Sequence, residues 1–279
     1  MKKITRRSFL AAAGLTAAAL ALTACGGSSS STASSTASSA AASSEAASSS
    51  AAADLTTVEA GKLTMATNAA FPPYEMTTDT GAFEGIDVDT AQAIAEKLGL
   101  ELQIDDMDFD AALLSVQQGK ADIVMAGVTV TDERKAVMDF SDSYATGIQS
   151  IIVPEGSDIA TPDDLAGKKI GTQRGTTGYI YCSDDFGDEN VVAYDDGLTA
   201  VQALNNGQVD AVVIDNAPAK EFIAANPGLV ILDTSYAEED YAIGMAKGSA
   251  LEDAINAVLE ELKADGTLQS IVDKYITAE

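Results

Sequence analysis

Two stretches of this chain, 88 residues apart, carry one pattern. Residues 113–127 (LLSVQQGKADIVMAG) lie on residues 201–215 (VQALNNGQVDAVVID). Leu113 and Val116 fall on Val201 and Leu204, Gly119 on Gly207, and Asp122 on Asp210. Each copy reads as an amphipathic helix stopped by a glycine, which takes a left-handed C-terminal cap without a Cβ penalty, followed by a short strand. Any α/β chain repeats such units, and that is the plain alternative. Taken as a repeat, the match predicts two similar lobes, with Gly127 and Asp215 at equivalent C-terminal strand ends. Open α/β sheets bind ligands at those ends, so two facing rims make a cleft.

The rest of the chain alternates in the same way. Strands are expected at 62–67, 101–104, 123–126, 169–172, 191–194, 211–214 and 229–232. Helices are expected at 87–98, 109–118, 177–186, 198–205, 217–225, 251–263 and 268–276. Strands separated by helices imply parallel sheets with helices on both faces. Aromatics make up 5% of the chain and tryptophan is absent, so Ala, Val, Ile and Leu must build the core. The sequence also lacks histidine, which excludes Ser-His and Cys-His nucleophiles and His-ligated metals. Two cysteines, Cys25 and Cys182, cannot form a disulfide framework.

The N-terminus reads as an address. Lys2, Lys3, Arg6 and Arg7 precede an apolar run, Phe9 to Ala24, too short and Ala-rich for a comfortable membrane span. Leu22-Thr23-Ala24-Cys25 resembles a bacterial lipobox, which implies residues 1–24 as a cleaved signal and lipidation at Cys25. Thr5-Arg6-Arg7-Ser8-Phe9-Leu10 is similar to a twin-arginine export motif, with general secretion as the alternative. Residues 25–56 are dominated by Ser, Ala and Thr and bury too little to offset the entropy of ordering, so they read as a tether. As a flexible coil, that length reaches roughly 30 Å. From residue 54 onward the net charge is −30, which opposes nucleic-acid or anionic-membrane binding and favours a soluble monomer.

Several local segments are more specific. Residues 66–75 (ATNAAFPPYE), 85–89 (GIDVD), 107–110 (MDFD), 126–135 (AGVTVTDERK), 139–142 (DFSD), 173–177 (QRGTT) and 213–215 (VID) occur in that order. Together they closely resemble the polar amino-acid-binding proteins of ABC importers (extracellular solute-binding proteins, family 3), from about Lys62 to Tyr275. The resemblance implies a two-lobed, type II periplasmic-binding-protein-like fold. Each lobe would be a mostly parallel sheet flanked by helices, and two hinge strands, near 144–148 and 237–241, would join them. Residues 57–143 and 242–279 would form lobe 1, and residues 144–241 the hinges and lobe 2. A permease and its ATPase would be the partners, with the protein held by lipid outside the cell membrane and no cofactor needed.

An amino acid brings a carboxylate and an ammonium, so its receptor needs a cation and an anion at fixed separation. Arg134 offers a planar fork for the carboxylate, and Asp215 is the ammonium partner from the other lobe. Thr129 could donate to the carboxylate or accept from the ammonium, and the Gly127 carbonyl could accept a further ammonium hydrogen. Residues 175–177 open a helix whose free N–H groups favour an anion, and by resemblance the Thr177 amide contacts the carboxylate. Phe71 and Phe109 resemble an aromatic pair flanking the ligand side chain. Asn68 resembles the position that reads its end; relatives with an acid there suit cationic ligands, so a neutral polar ligand is preferred over a basic one. Gln173 approaches the same pocket in a direction the sequence leaves open. The rival readings are a dehydratase-like enzyme of the same fold, with Glu75 or Asp215 as acid or base, and a sensor domain. Cys182, without a histidine partner, reads as an inert thiol.

Overall fold

The computed structural model describes residues 55–276. The leader, Cys25 and nearly all of the tether lie outside the described residues, so the export and lipidation expectations concern a part not described here. In chain order the elements are β1 (Lys62–Thr67), β2 (Ala70–Phe71), β3 (Glu75–Thr77), β4 (Phe83–Glu84), α1 (Ile86–Leu98), β5 (Glu101–Asp106), α2 (Phe109–Gln117), β6 (Ile123–Val124), α3 (Asp132–Lys135), β7 (Met138–Phe140) and β8 (Ala145–Pro154). Then come β9 (Ile170–Gln173), α4 (Thr177–Phe186), β10 (Val191–Tyr194), α5 (Gly197–Asn205), β11 (Ala211–Asp215), α6 (Asn216–Ala225), β12 (Leu229–Ile231), β13 (Ala237–Tyr241), β14 (Gly244–Ala246), α7 (Leu251–Ala264) and α8 (Thr267–Tyr275).

The two main sheets run β5-β1-β6-β14-β7 and β10-β9-β11-β8-β12, with β13 also paired to β8. A parallel trio forms the heart of each: β5-β1-β6 in the first and β10-β9-β11 in the second. The remaining strands are antiparallel, so the sheets are mixed rather than mostly parallel. Parallel neighbours need a crossover connection, usually helical. The strands that carry the chain between lobes have none, and they add in the opposite sense. Of these, β8 and β13 pair along 145–149 and 237–241, while β14 returns to the first sheet and α7 and α8 pack on α1.

The 88-residue repeat has a structural counterpart. Helices α2 and α5 begin and end at equivalent positions, 109–117 and 197–205, and Gly119 and Gly207 take φ of 65° and 66°. After each turn an aspartate closes the same ring with the neighbouring strand. The Thr64 N–H donates to Asp122 Oδ2 at 2.8 Å, and the Lys169 N–H donates to Asp210 Oδ2 at 2.8 Å. In return the Asp122 and Asp210 N–H groups donate to the Thr64 and Lys169 carbonyls. The shared Asp-after-Gly is therefore an anchor for strand register, and it sets the height at which each strand ends at the cleft.

Local signals account for most helix limits. On α1, Ile86, Ala91, Ile94, Ala95 and Leu98 form the buried stripe, with Asp87 and Asp89 in the first turn, where the helix dipole favours anions. Strand β6 is shorter than expected, because after Val124 the chain turns toward the cleft at Gly127, φ 55°. The small sheet β2-β3-β4 and the strands β7 and β14 were not anticipated; each is two or three residues long and lacks a periodic signal. Cys182 is fully buried, and burial pushes its thiol up to about 12, as suits an inert group. Among the described residues no helix is long and apolar enough to cross a membrane.

Candidate functional site

The strand ends of the two lobes face one narrow, nearly closed cleft with a cavity volume of about 20 Å3. All nine residues singled out from sequence line it. From the first lobe come Asn68, Phe71 and Phe109, then Gly127, Thr129 and Arg134 on the segment leading into α3. From the second come Gln173 at the end of β9, Thr177 at the start of α4 and Asp215 at the end of β11.

Arg134 is placed by its own short helix. Thr131 caps α3, its hydroxyl accepting from the Arg134 N–H at 3.2 Å. The guanidinium is 8% exposed and lies 5.3 Å from the centre of the Phe109 ring. Its Nη1 donates to the Thr129 carbonyl at 2.9 Å, and Nη2 reaches across the cleft to the Gly175 carbonyl at 3.1 Å. Burial lowers its pKa, while the negative charge of Glu239 acts in the opposite direction.

On the far side, Thr176 caps α4 by accepting from the Tyr179 N–H, which leaves the first turn open toward the cleft. Asp215 is buried, and Gln149 Nε2 donates to its Oδ2 at 2.7 Å. The Tyr241 hydroxyl is a second donor to this carboxylate and offsets part of the cost of burying it. Burial, reinforced by the nearby Glu239, pushes its pKa up to about 7. Gly147, opposite on β8, leaves the space this carboxylate occupies: a Cβ there would sit 2.6 Å from Asp215 Oδ1 and overlap the Tyr241 ring.

The two lobes touch through the cleft. Gln173 Nε2 donates to Asn68 Oδ1 at 2.9 Å, and the Thr129 and Thr177 hydroxyl oxygens are 3.3 Å apart. The direction of Gln173 is thus inward and across. Arg174, its neighbour, is exposed and pairs with Asp195 at 3.5 Å. Asn68 also donates from Nδ2 to the Met107 carbonyl at 2.9 Å, so its amide ties the lobes together.

Sequence reasoning gave no binding role to four polar groups here. Glu75, at the start of β3, lines the cleft, is fully buried, and has the carboxyl of Asp87 as its hydrogen-bond partner. Burial first, and then the charge of Asp87, holds its pKa well above the ordinary carboxylate range. Asp87 lies behind it, accepting from the Gly127 N–H at 3.0 Å and the Tyr144 hydroxyl at 2.7 Å; burial pushes it up to about 6. Gln149 lines the cleft and Glu239 stands beside it. Glu75 ends the 66–75 segment, so its proximity to Asn68 and Phe71 was a signal within reach; Gln149 and Glu239 lie on plain strand sequence.

The described residues contain no group of three or more His, Cys, Asp or Glu side chains arranged to hold a metal ion. The cleft can instead meet a small molecule with one guanidinium, one open helix end, two buried carboxyls and two aromatic rings.

The family model for bacterial extracellular solute-binding proteins, family 3, matches residues 63–278. The L-cystine-binding protein TcyJ of Escherichia coli (strain K12) is 32% identical over 226 residues, which is 79% of this chain and 85% of that one. The arginine-binding extracellular protein ArtP of Bacillus subtilis (strain 168) is 32% identical over 228 residues, 78% of this chain and 87% of its own. Among solved structures, an ancestral arginine-binding protein bound to arginine is 42% identical with a TM-score of 0.74, covering 77% of this chain and 98% of that one.

Proposed function

This chain belongs to the bacterial extracellular solute-binding proteins of family 3, and from that premise we propose that it captures an amino acid with a cationic side chain, arginine foremost, for an ABC importer. The observation that carries the choice is Glu75. It is a fully buried carboxyl on the cleft wall set against a second buried carboxyl, Asp87, and two such groups cannot both ionise without cost until a cation pairs with them. The cleft then holds two carboxyls, Asp215 and Glu75, against the single guanidinium of Arg134. A neutral zwitterion matches one of each; a zwitterion with a cationic side chain matches all three. Phe71 and Phe109 supply flat apolar faces suited to a planar guanidinium.

In this reading Arg134 and the first turn of α4 take the ligand carboxylate. Asp215, Thr129 and the Gly127 carbonyl take its ammonium. Capture involves no chemical step. Closure shields charge pairs that are worth little in water, and the ligand drives it by binding the closed form better. The closed surface is what a permease and its ATPase would read. A lipid on Cys25 would hold the protein outside the cell membrane, a reading that rests on the lipobox-like tetrad, and its net charge of −27 supports a monomer.

A second reading has its own support. The raised pKa of Glu75 leaves a proton on it in the empty cleft, and a protonated carboxyl can donate to the carboxamide oxygen of glutamine. Calorimetry of the folded part, from residue 54 onward, against arginine, lysine, histidine, glutamine and cystine separates the two. Arginine binding at least tenfold tighter than glutamine, with a proton released, is expected. Tighter glutamine binding without proton release establishes the second reading, and no binding across the panel refutes both.

A further inference from the structure

The hinge strand β13 carries a buried carboxylate for which the capture mechanism above has no use. Glu239 is 6% exposed, and its Oε2 accepts from the Thr129 hydroxyl at 3.1 Å and from Gln149 Nε2 at 3.0 Å. Thr129 belongs to the first lobe. Gln149 lies on β8, the other hinge strand, and the same Nε2 donates to Asp215 Oδ2 at 2.7 Å. One carboxylate on the hinge is therefore joined, directly or through one amide, to the ammonium-facing side chain of each lobe.

Proton counting gives this network a direction. A threonine hydroxyl has one hydrogen, and a carboxylate can only accept, so the hydrogen of Thr129 points at Glu239. The Thr129 oxygen then faces the cleft with lone pairs alone. Thr177, 3.3 Å away, must be the donor in that pair. Gln149 is constrained in the same way. Its Nε2 carries two hydrogens and stands between two carboxylates, so both are spent, and the amide cannot flip without setting its oxygen against two others. Asp215 is held by Gln149 on one side and by the Tyr241 hydroxyl on the other.

We propose that Glu239 is a positioning residue: it fixes the hydroxyl hydrogen of Thr129 and the amide hydrogens of Gln149, so that both lobes present acceptors to the ammonium subsite. Without it, the Thr129 hydroxyl is free to rotate its hydrogen into the cleft, where it opposes an ammonium instead of receiving one. The Gln149 amide is likewise free to turn away from Asp215. Glu239 also supplies negative charge beside Arg134, so its loss removes a field that the guanidinium feels. The inference deepens the proposed reading and rests on it, since it concerns how the ammonium end is recognised.

The test is a double-mutant cycle on the chain from residue 54 onward, with L-arginine as probe and dissociation constants from calorimetry. Glu239→Gln and Thr129→Val are each expected to weaken binding about 10-fold or more. The double variant should be no more than about 3-fold weaker than the worse single one, because both act through one hydroxyl. A parallel titration with 5-guanidinopentanoate, which lacks the ammonium, should show less than about 3-fold loss on Glu239→Gln. Multiplicative losses in the cycle, or equal losses for arginine and the deaminated analogue, would overturn the proposal, since a merely structural role affects both ligands alike. If Glu239→Gln does not fold, Gln149→Met breaks the network from its other end and must show the same ligand dependence. Wild-type protein that binds arginine while the cycle is additive refutes this inference alone. Wild-type protein that binds no amino acid refutes the reading of the cleft as well.

Discussion

Replacing Asp215 with asparagine should stabilise the ligand-free protein while destroying its function. Asp215 is buried, and although Tyr241 and Gln149 donate to it, burial raises its pKa from 3.8 to about 7. A group whose folded pKa is raised contributes its full stability below the unfolded pKa and loses it as pH climbs through the folded one. Ligand-free wild type should therefore lose stability between about pH 4 and pH 8 on account of this residue. Three pKa units at 1.36 kcal/mol each set a ceiling of roughly 4 kcal/mol. Opening the cleft wets the carboxylate and relieves part of the penalty, so about 1–2 kcal/mol is the expected difference at pH 8. For a chain of this size that is a rise of about 2–8 °C in Tm. The introduced carboxamide keeps an acceptor for Gln149 and carries no charge, so the advantage of the variant should shrink to about two-fifths of its pH 8 value at pH 5 and vanish only near pH 4. Thermal denaturation from pH 5 to 8, with and without arginine, measures both effects. Arginine should raise the Tm of wild type and leave that of the variant unchanged. A variant no more stable than wild type at pH 8, or an advantage independent of pH, would refute the argument that burial of this charge destabilises the empty cleft.

Other substitutions probe the remaining parts of the site. Glu75→Gln should weaken arginine binding about 100-fold yet leave glutamine binding within about 3-fold; calorimetry with both ligands reads the ratio. Arg134→Ala should abolish measurable binding, because the ligand carboxylate is then buried unpaired. Gly147→Ala drives a Cβ into the Tyr241 ring and to 2.6 Å from Asp215 Oδ1, so it should cut affinity at least 10-fold by displacing the ammonium partner. Gly175→Ala places a Cβ on the Asp110 carboxylate across the cleft, at a backbone φ of 73°. The exposed Asp110 side chain can swing aside, so the cost falls on the left-handed backbone, and thermal denaturation should show a loss of about 1 kcal/mol.

The residues proposed for capture were legible because each is tied to a local motif. Arg134 follows its cap Thr131, Thr177 opens a helix after a glycine, and Asp215 ends a strand that repeats an earlier one. Residue order alone thus determined the two-lobed plan and the placing of a guanidinium and a carboxylate on facing rims. Even Asp122 and Asp210, which never reach the cleft, could be paired from the repeat, since strand register is a local matter of one side chain and the next strand's backbone. The third dimension decided the rest. Whether Glu75 has partners, which way Gln173 points, and that Glu239 and Gln149 stand between Thr129 and Asp215 depend on segments up to 110 residues apart in the chain meeting in one place. A carboxylate's charge state and usefulness depend on how much water and how many donors surround it. Those are properties of the assembled surroundings, and no stretch of sequence around the residue contains them.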